Sequence, residues 1–143
     1  MASLKKTLII GIITVIVIVS AILLLISNYK EKPSMESIIL NEFQTHKSLL
    51  DMIARKSLLQ SVESTIHYDK DHFDTSDNNL TEIFAIGYLA IHTGDKGFVY
   101  FVRDSYFGFT QGLVFSVEGV EPRSPYFTEI RQLDENWFLF KMK

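Results

Sequence analysis

Three textures of apolar and polar positions follow one another along the chain. From Leu8 to Ile26 nineteen residues run almost without interruption, and Gly11, Thr14 and Ser20 alone are not strongly apolar. A helix rises about 1.5 Å per residue, so such a run covers the roughly 30 Å hydrocarbon core of a bilayer. From Ser34 to about Gln60 the apolar positions fall on one helical face: Ile39, Phe43, His46, Leu50 and Ile53 recur at spacings of four and three, with Glu42, Gln44, Lys47, Asp51 and Arg55 mostly opposite. After Gly94 the spacing shortens. "GFVYFV" (97–102), "GLVFSV" (112–117), "YFTEIRQL" (126–133) and "WFLFKM" (137–142) are β-branched or aromatic runs parted by turn residues. Neither face of the third run is wholly apolar, which suits an antiparallel sheet wet on one side.

The pattern predicts an α+β protein. One N-terminal transmembrane helix is followed by a small domain, in which a long amphipathic helix and a short helix pack on an antiparallel sheet of about four strands. The divisions are a tail (1–7), an anchor (8–26), a linker (27–33) and the domain (34–143). Pro33-Ser34 separates anchor from domain, because proline cannot continue a helix and serine can cap a new one. The short helix is expected to begin at a capping box, Asn79 to Glu82, and to end at Gly94 after Ile91 and His92. His92 then lies in its last turn, where a cation suits the helix dipole. Phe98, Tyr100, Phe115, Ile130, Trp137 and Phe140 are expected in or beside the core.

A cleaved secretory signal is the alternative to an anchor. Signals have a shorter apolar region, about 7 to 15 residues, before a small-residue site. Val19-Ser20-Ala21 would serve as that site, but Ile22 to Ile26 continue the apolar run past it. Lys5 and Lys6 precede the span and Lys30 and Lys32 follow it, a near tie that the free amino terminus tips towards a cytoplasmic N-terminus. The expected location is a bacterial inner (cytoplasmic) membrane, single pass, with the domain periplasmic or extracellular.

Charge narrows the partners. Beyond the span seventeen Asp and Glu face twelve Lys and Arg, a net charge of −5. An acidic domain is a poor match to nucleic acid or anionic lipid, both of which want Lys/Arg clusters, and no basic patch interleaves with aromatics, so nucleic acid is excluded as a partner. With no cysteine there are no disulfides, no thiolate chemistry and no lipidated cysteine. No nucleophile elbow, phosphate loop, dinucleotide fingerprint or His-Glu-x-x-His motif is present, so neither an enzyme nor a cofactor is expected.

Two places carry candidate chemistry. In "HYDKDHFDTSDNN" the residues His67, Asp69, Asp71, His72 and Asp74, with Asp77 beyond them, are the metal candidates. Carboxylates suit calcium or magnesium and histidines suit zinc. However, Phe73 stands where an EF-hand loop needs its third ligand, and Asp74 where it needs glycine. The expectation is therefore a solvated acidic loop that holds no metal; a cation-binding sensor or metal-dependent enzyme is the alternative. The second place is "RDSYFGFTQG", where Tyr106, Phe107 and Phe109 surround Gly108. A sheet takes its core aromatics from alternating strand positions, whereas this cluster sits where the chain should turn. The two readings are an exposed patch that anchors another protein and a continued strand with all three rings inside.

Lys96-Gly97-Phe98-Val99-Tyr100, then Tyr126 to Ile130 and Asn136-Trp137-Phe138-Leu139-Phe140, resembles a group of small bacterial proteins of unknown function with a "KGY-x-Y" run and a closing "NWYLY"-like hairpin. Phe98, Phe138 and Phe140 stand where that group often has tyrosine. The resemblance implies a bacterial source and a small sheet domain, and no activity. Function is accordingly expected to be membrane-anchored, non-enzymatic binding, in the form of an immunity protein or an envelope-complex subunit.

Overall fold

The computed structural model describes residues 15–23, 32–60, 64–67, 77–94 and 97–143. The chain divides into two units, 1–33 and 34–143. In the first, residues 15–23 are helical (α1). The other residues of the expected 8–26 span lie outside the described residues, and among those described no helix is long and apolar enough to cross a membrane.

The second unit is α+β. Helix α2 spans Met35–Leu59 and starts where the sequence places it: the Ser34 hydroxyl accepts from the Ser37 N–H at 3.1 Å, and Gln60 closes the far end. Its apolar stripe buries Ile39, Phe43, Leu50 and Ile53, with Leu49, Ala54 and Ser57 beside them. His46, the polar member of the predicted stripe, interrupts the helix with φ −116° and ψ 19°.

The sheet has six strands rather than about four. They are β1 (Ser64–His67), β2 (Ala90–Thr93), β3 (Phe98–Tyr106), β4 (Phe109–Ser116), β5 (Phe127–Asp134) and β6 (Trp137–Met142), in the spatial order β1-β2-β3-β4-β6-β5 with every pairing antiparallel. The two additional strands are short and lie outside the aromatic half. Helix α3 (Asn78–Ile86) explains why the second was hidden. The apolar run from Ile83 to Ile91 reads as one helix, but Gly87 ends it in the left-handed conformation, φ 118°, seven residues before Gly94. Ala90 to Thr93 are thereby released into β2, so His92 is a strand residue and not a helix terminus. The cap at the other end also moves. Asp77, not Asn79, accepts from the Asn79 and Leu80 N–H groups, and Lys56 of α2 binds the same carboxylate.

The two faces of the sheet are covered differently. Val99 and Phe101 of β3, Leu113 and Phe115 of β4, and Trp137 and Leu139 of β6 point towards α2 and α3 and form the main core. Alternate residues on the other face, Val114, Phe138 and Phe140, are also buried, with Phe98, Tyr100, Val102, Phe127, Ile130 and Met142 around them. Among the described residues no helix covers that face. Strands β4 and β5 both run antiparallel to β6, so they are parallel to each other, and residues 117–126 must cross β6 to join them. This strap lies on the second face: Pro122 is buried, and Ser124 shares a hollow of about 290 Å³ with Tyr100, Phe127 and Phe140.

Pairing of β3 with β4 slips between Val102 and Asp104, which leaves Arg103 as the bulged residue. A bulge re-aims a side chain, and this one turns the guanidinium onto the helices. Arg103 donates from Nε and Nη2 to Glu42 of α2 at 2.9 Å each, and from Nη1 to the Gly87 carbonyl at 2.7 Å. One cation thus holds α2, the end of α3 and β3 together. A Cβ at Gly87 would lie 2.7 Å from that guanidinium, so both conformation and space require glycine.

Two stability predictions follow from these contacts. Glu42→Ala strands a largely shielded guanidinium and should cost about 2 kcal/mol in urea denaturation, less than a fully buried pair because some water reaches it. Glu42→Leu with Arg103→Met should recover most of that loss; equal losses in both variants would show that the charge itself is not what matters. The second concerns acid. Glu36, Asp77 and Asp134 are held below their ordinary values of 4.5, 3.8 and 3.8, chiefly by hydrogen bonds from Lys141, Lys56 and Lys47 respectively. Depressed carboxylates contribute stability that is full above their ordinary values and lost as pH falls through the lowered ones. Melting temperature should therefore be flat near neutrality and drop below about pH 4. Asp77→Asn, which keeps a capping oxygen, should flatten part of that drop.

Candidate contact surface

Strands β3 and β4 are joined by two residues, Phe107 and Gly108, with Tyr106 opposite Phe109 as the last pair. Both turn residues have positive φ, 45° and 82°. That is the mirror-image turn whose twist matches a hairpin, and it favours Asn-Gly or Gly-Gly. Gly108 meets the requirement. Phe107 does not, because its Cβ makes the left-handed region unfavourable by roughly 1–2 kcal/mol.

The tip settles the two readings of "RDSYFGFTQG" in an unexpected way. The strands do continue to the turn, yet the rings are not inside: Tyr106 is 69%, Phe107 84% and Phe109 56% exposed. Beyond the slip at Arg103 the hairpin runs past the buried positions of the core. Tyr106 and Phe107 meet edge to face at 4.2 Å, and the Lys143 ammonium lies over the Phe109 ring at 5.2 Å. Polar contacts below the rings stiffen the stem. Asp104 accepts from Gln111 at 3.1 Å, and the Ser105 and Thr110 hydroxyls are 3.2 Å apart.

Tyr126 belongs to the same end and was not singled out by its sequence. It is 67% exposed, and its carbonyl accepts from the Lys143 N–H at 3.0 Å. In "YFTEIRQL" it reads as an ordinary strand residue. Its exposure comes from lying just before the first paired residue of β5, at the foot of the strap. Among the described residues Tyr106, Phe107, Phe109 and Tyr126 are the exposed aromatics.

Of the candidate cation ligands the structure describes two. His67 closes β1, paired with Ala90, and Asp77 caps α3; Asp69, Asp71, His72 and Asp74 lie outside the described residues. Among the described residues no group of three or more His, Asp or Glu could hold a metal. The other histidines are placed by structure. His92 Nδ1 lies 2.7 Å from the Thr65 hydroxyl across β1 and β2, and His46 Nδ1 faces Glu82 of α3 at 4.0 Å. Deeper in, the Tyr88 hydroxyl is buried without a hydrogen-bond partner, and burial pushes its acidity out of reach of ordinary pH. No protein-family model, curated protein or solved structure matches this chain.

The turn offers a direct test of whether Phe107 serves folding. Phe107→Asn places a residue that tolerates positive φ and removes an exposed ring. It should raise stability by about 0.5–1 kcal/mol, read as a rise of a few degrees in melting temperature. A loss of stability would mean that the ring packs on the domain.

Proposed function

We propose that this chain is a single-pass, membrane-anchored binding protein without catalytic activity, its domain outside the cytoplasm. An immunity protein and an envelope-complex subunit are its two concrete forms. The observation that carries the reading is the aromatic tip. Three adjacent rings stand in water on a turn that one of them destabilises, although the domain has two buried faces to hold aromatics. Rings left outside at a cost in turn strain are explained by contact with something else. The anchor rests on the apolar run 8–26, which is of spanning length. The absence of a catalytic motif in the sequence supports binding over catalysis.

Two measurements test it in cells. The full chain should stay with the membrane fraction through an alkaline carbonate wash, and a C-terminal alkaline phosphatase fusion should be active; release by the wash or an inactive fusion would refute the anchor or its orientation. The variant Tyr106→Ser/Phe107→Ser/Phe109→Ser should keep its abundance and melting temperature while reproducing the phenotype of a gene deletion. Full complementation by that variant would remove the tip from the function.

A further inference from the structure

The two ends of the domain are not equivalent, and the place where the chain enters it marks one of them. Glu36, in the first turn of α2, accepts from Arg131 at 2.7 Å and from Lys141 at 2.8 Å. Lys141 pairs with Gln111 across β4 and β6, and Gln111 pairs with Asp104 across β3 and β4. From there α2 runs along β6 towards Trp137, where Asp51 accepts the indole N–H at 2.6 Å. The start of α2 and the free end of the β3–β4 hairpin therefore lie at the same end of the sheet. The Tyr106–Phe109 pair lies two residues beyond Gln111, so the tip extends about 7 Å past the level of the Glu36–Lys141 pair. Tyr126 and Lys143 are at this end as well.

Resting on the anchored reading, the geometry points to the lipid bilayer as what meets the tip: Tyr106, Phe107 and Phe109 insert into the headgroup zone of the same membrane that holds residues 8–26. Three observations select lipid over a second protein. The first is reach. Seven linker residues, 27–33, can span at most about 25 Å, an upper bound on how far the end where the chain enters the domain can lie from the anchor, and that end carries the exposed rings. The second is chemistry. Aromatic side chains favour the membrane–water boundary, and Tyr106 and Tyr126 offer hydroxyls to headgroups while Phe107 and Phe109 offer apolar rings. The third is charge. An acidic domain would be repelled by anionic lipid, but at this end, among the described residues, Glu36 is paired with Arg131 and Lys141 and Glu129 with Lys141 at 2.7 Å; Asp104 keeps its charge, since its Gln111 donor is neutral. The Lys143 ammonium lies on the Phe109 ring, where it can meet a phosphate as the ring inserts.

The chain has no cysteine, so single labels can be placed without background. Ser105→Cys puts a nitroxide beside the tip with all three rings intact, and Val117→Cys puts one at the opposite end of β4. The full chain is reconstituted into vesicles of phosphatidylethanolamine with a minority of phosphatidylglycerol. Flotation after an alkaline wash reports the anchor, and power-saturation EPR reports depth. The label at 105 should be several-fold more accessible to oxygen than to a water-soluble nickel complex, and the label at 117 should show the reverse. Adding Tyr106→Ser/Phe107→Ser/Phe109→Ser should make 105 behave like 117 without loss of flotation. A chain that floats with an aqueous label at 105 overturns the lipid contact and leaves the anchor standing. A chain that does not float overturns both. A label at 105 that is aqueous in vesicles but immobilised in native membranes overturns the lipid contact in favour of a protein partner.

Discussion

The domain depends on how one side chain, Trp137, is held. Its ring is buried on the helix side of β6 and meets Phe115 at 5.2 Å, Phe101 at 5.6 Å and Phe43 at 5.6 Å between centroids. These come from β4, β3 and α2, so one indole touches three of the elements that make the core. A buried indole must also place its N–H, and Asp51 of α2 accepts it. Packing thus sets how far the helix lies from the sheet, and the hydrogen bond sets where along the sheet it lies. From that register the Glu36 end of α2 comes level with Lys141, and Glu42 comes within reach of the bulged Arg103.

That register has consequences at both faces. On the helix face, Arg103 ties the end of α3 to β3, and Gly87 must end α3 early to make room for it. On the other face, among the described residues, no helix covers the aromatics of β3, β4 and β6. The strap does so instead, because the order β4-β6-β5 forces the chain across β6. Ten residues are a short crossover, and they leave a hollow beside Tyr100 and Phe127. The domain is thus closed on two faces, while the hairpin end beyond Arg103 projects past both.

The aromatic end gains meaning from this arrangement. Tyr106, Phe107 and Phe109 are exposed aromatic residues mounted on a stem stiffened by Asp104–Gln111 and Ser105–Thr110. The same end receives the chain from the N-terminal unit through Ser34.

The sequence by itself determined what local chemistry determines. It placed α2 to within a residue, because its stripe and the serine cap are properties of neighbouring residues. It also placed the four aromatic strands and the core positions Phe115, Trp137 and Phe140, because strand alternation is equally local. It marked Tyr106, Phe107 and Phe109 as out of place. Tertiary structure alone decided the rest. Ala90 to Thr93 are a strand because Gly87 ends α3 in the left-handed conformation, and its carbonyl is then held by Arg103, sixteen residues away in sequence. Asp77 displaces Asn79 as the cap because Lys56 reaches it from another helix. Whether the rings at the tip lie inside or outside had no local answer either. Burial depends on which elements come to cover a strand, and that is settled only when helix, sheet and strap have taken their places.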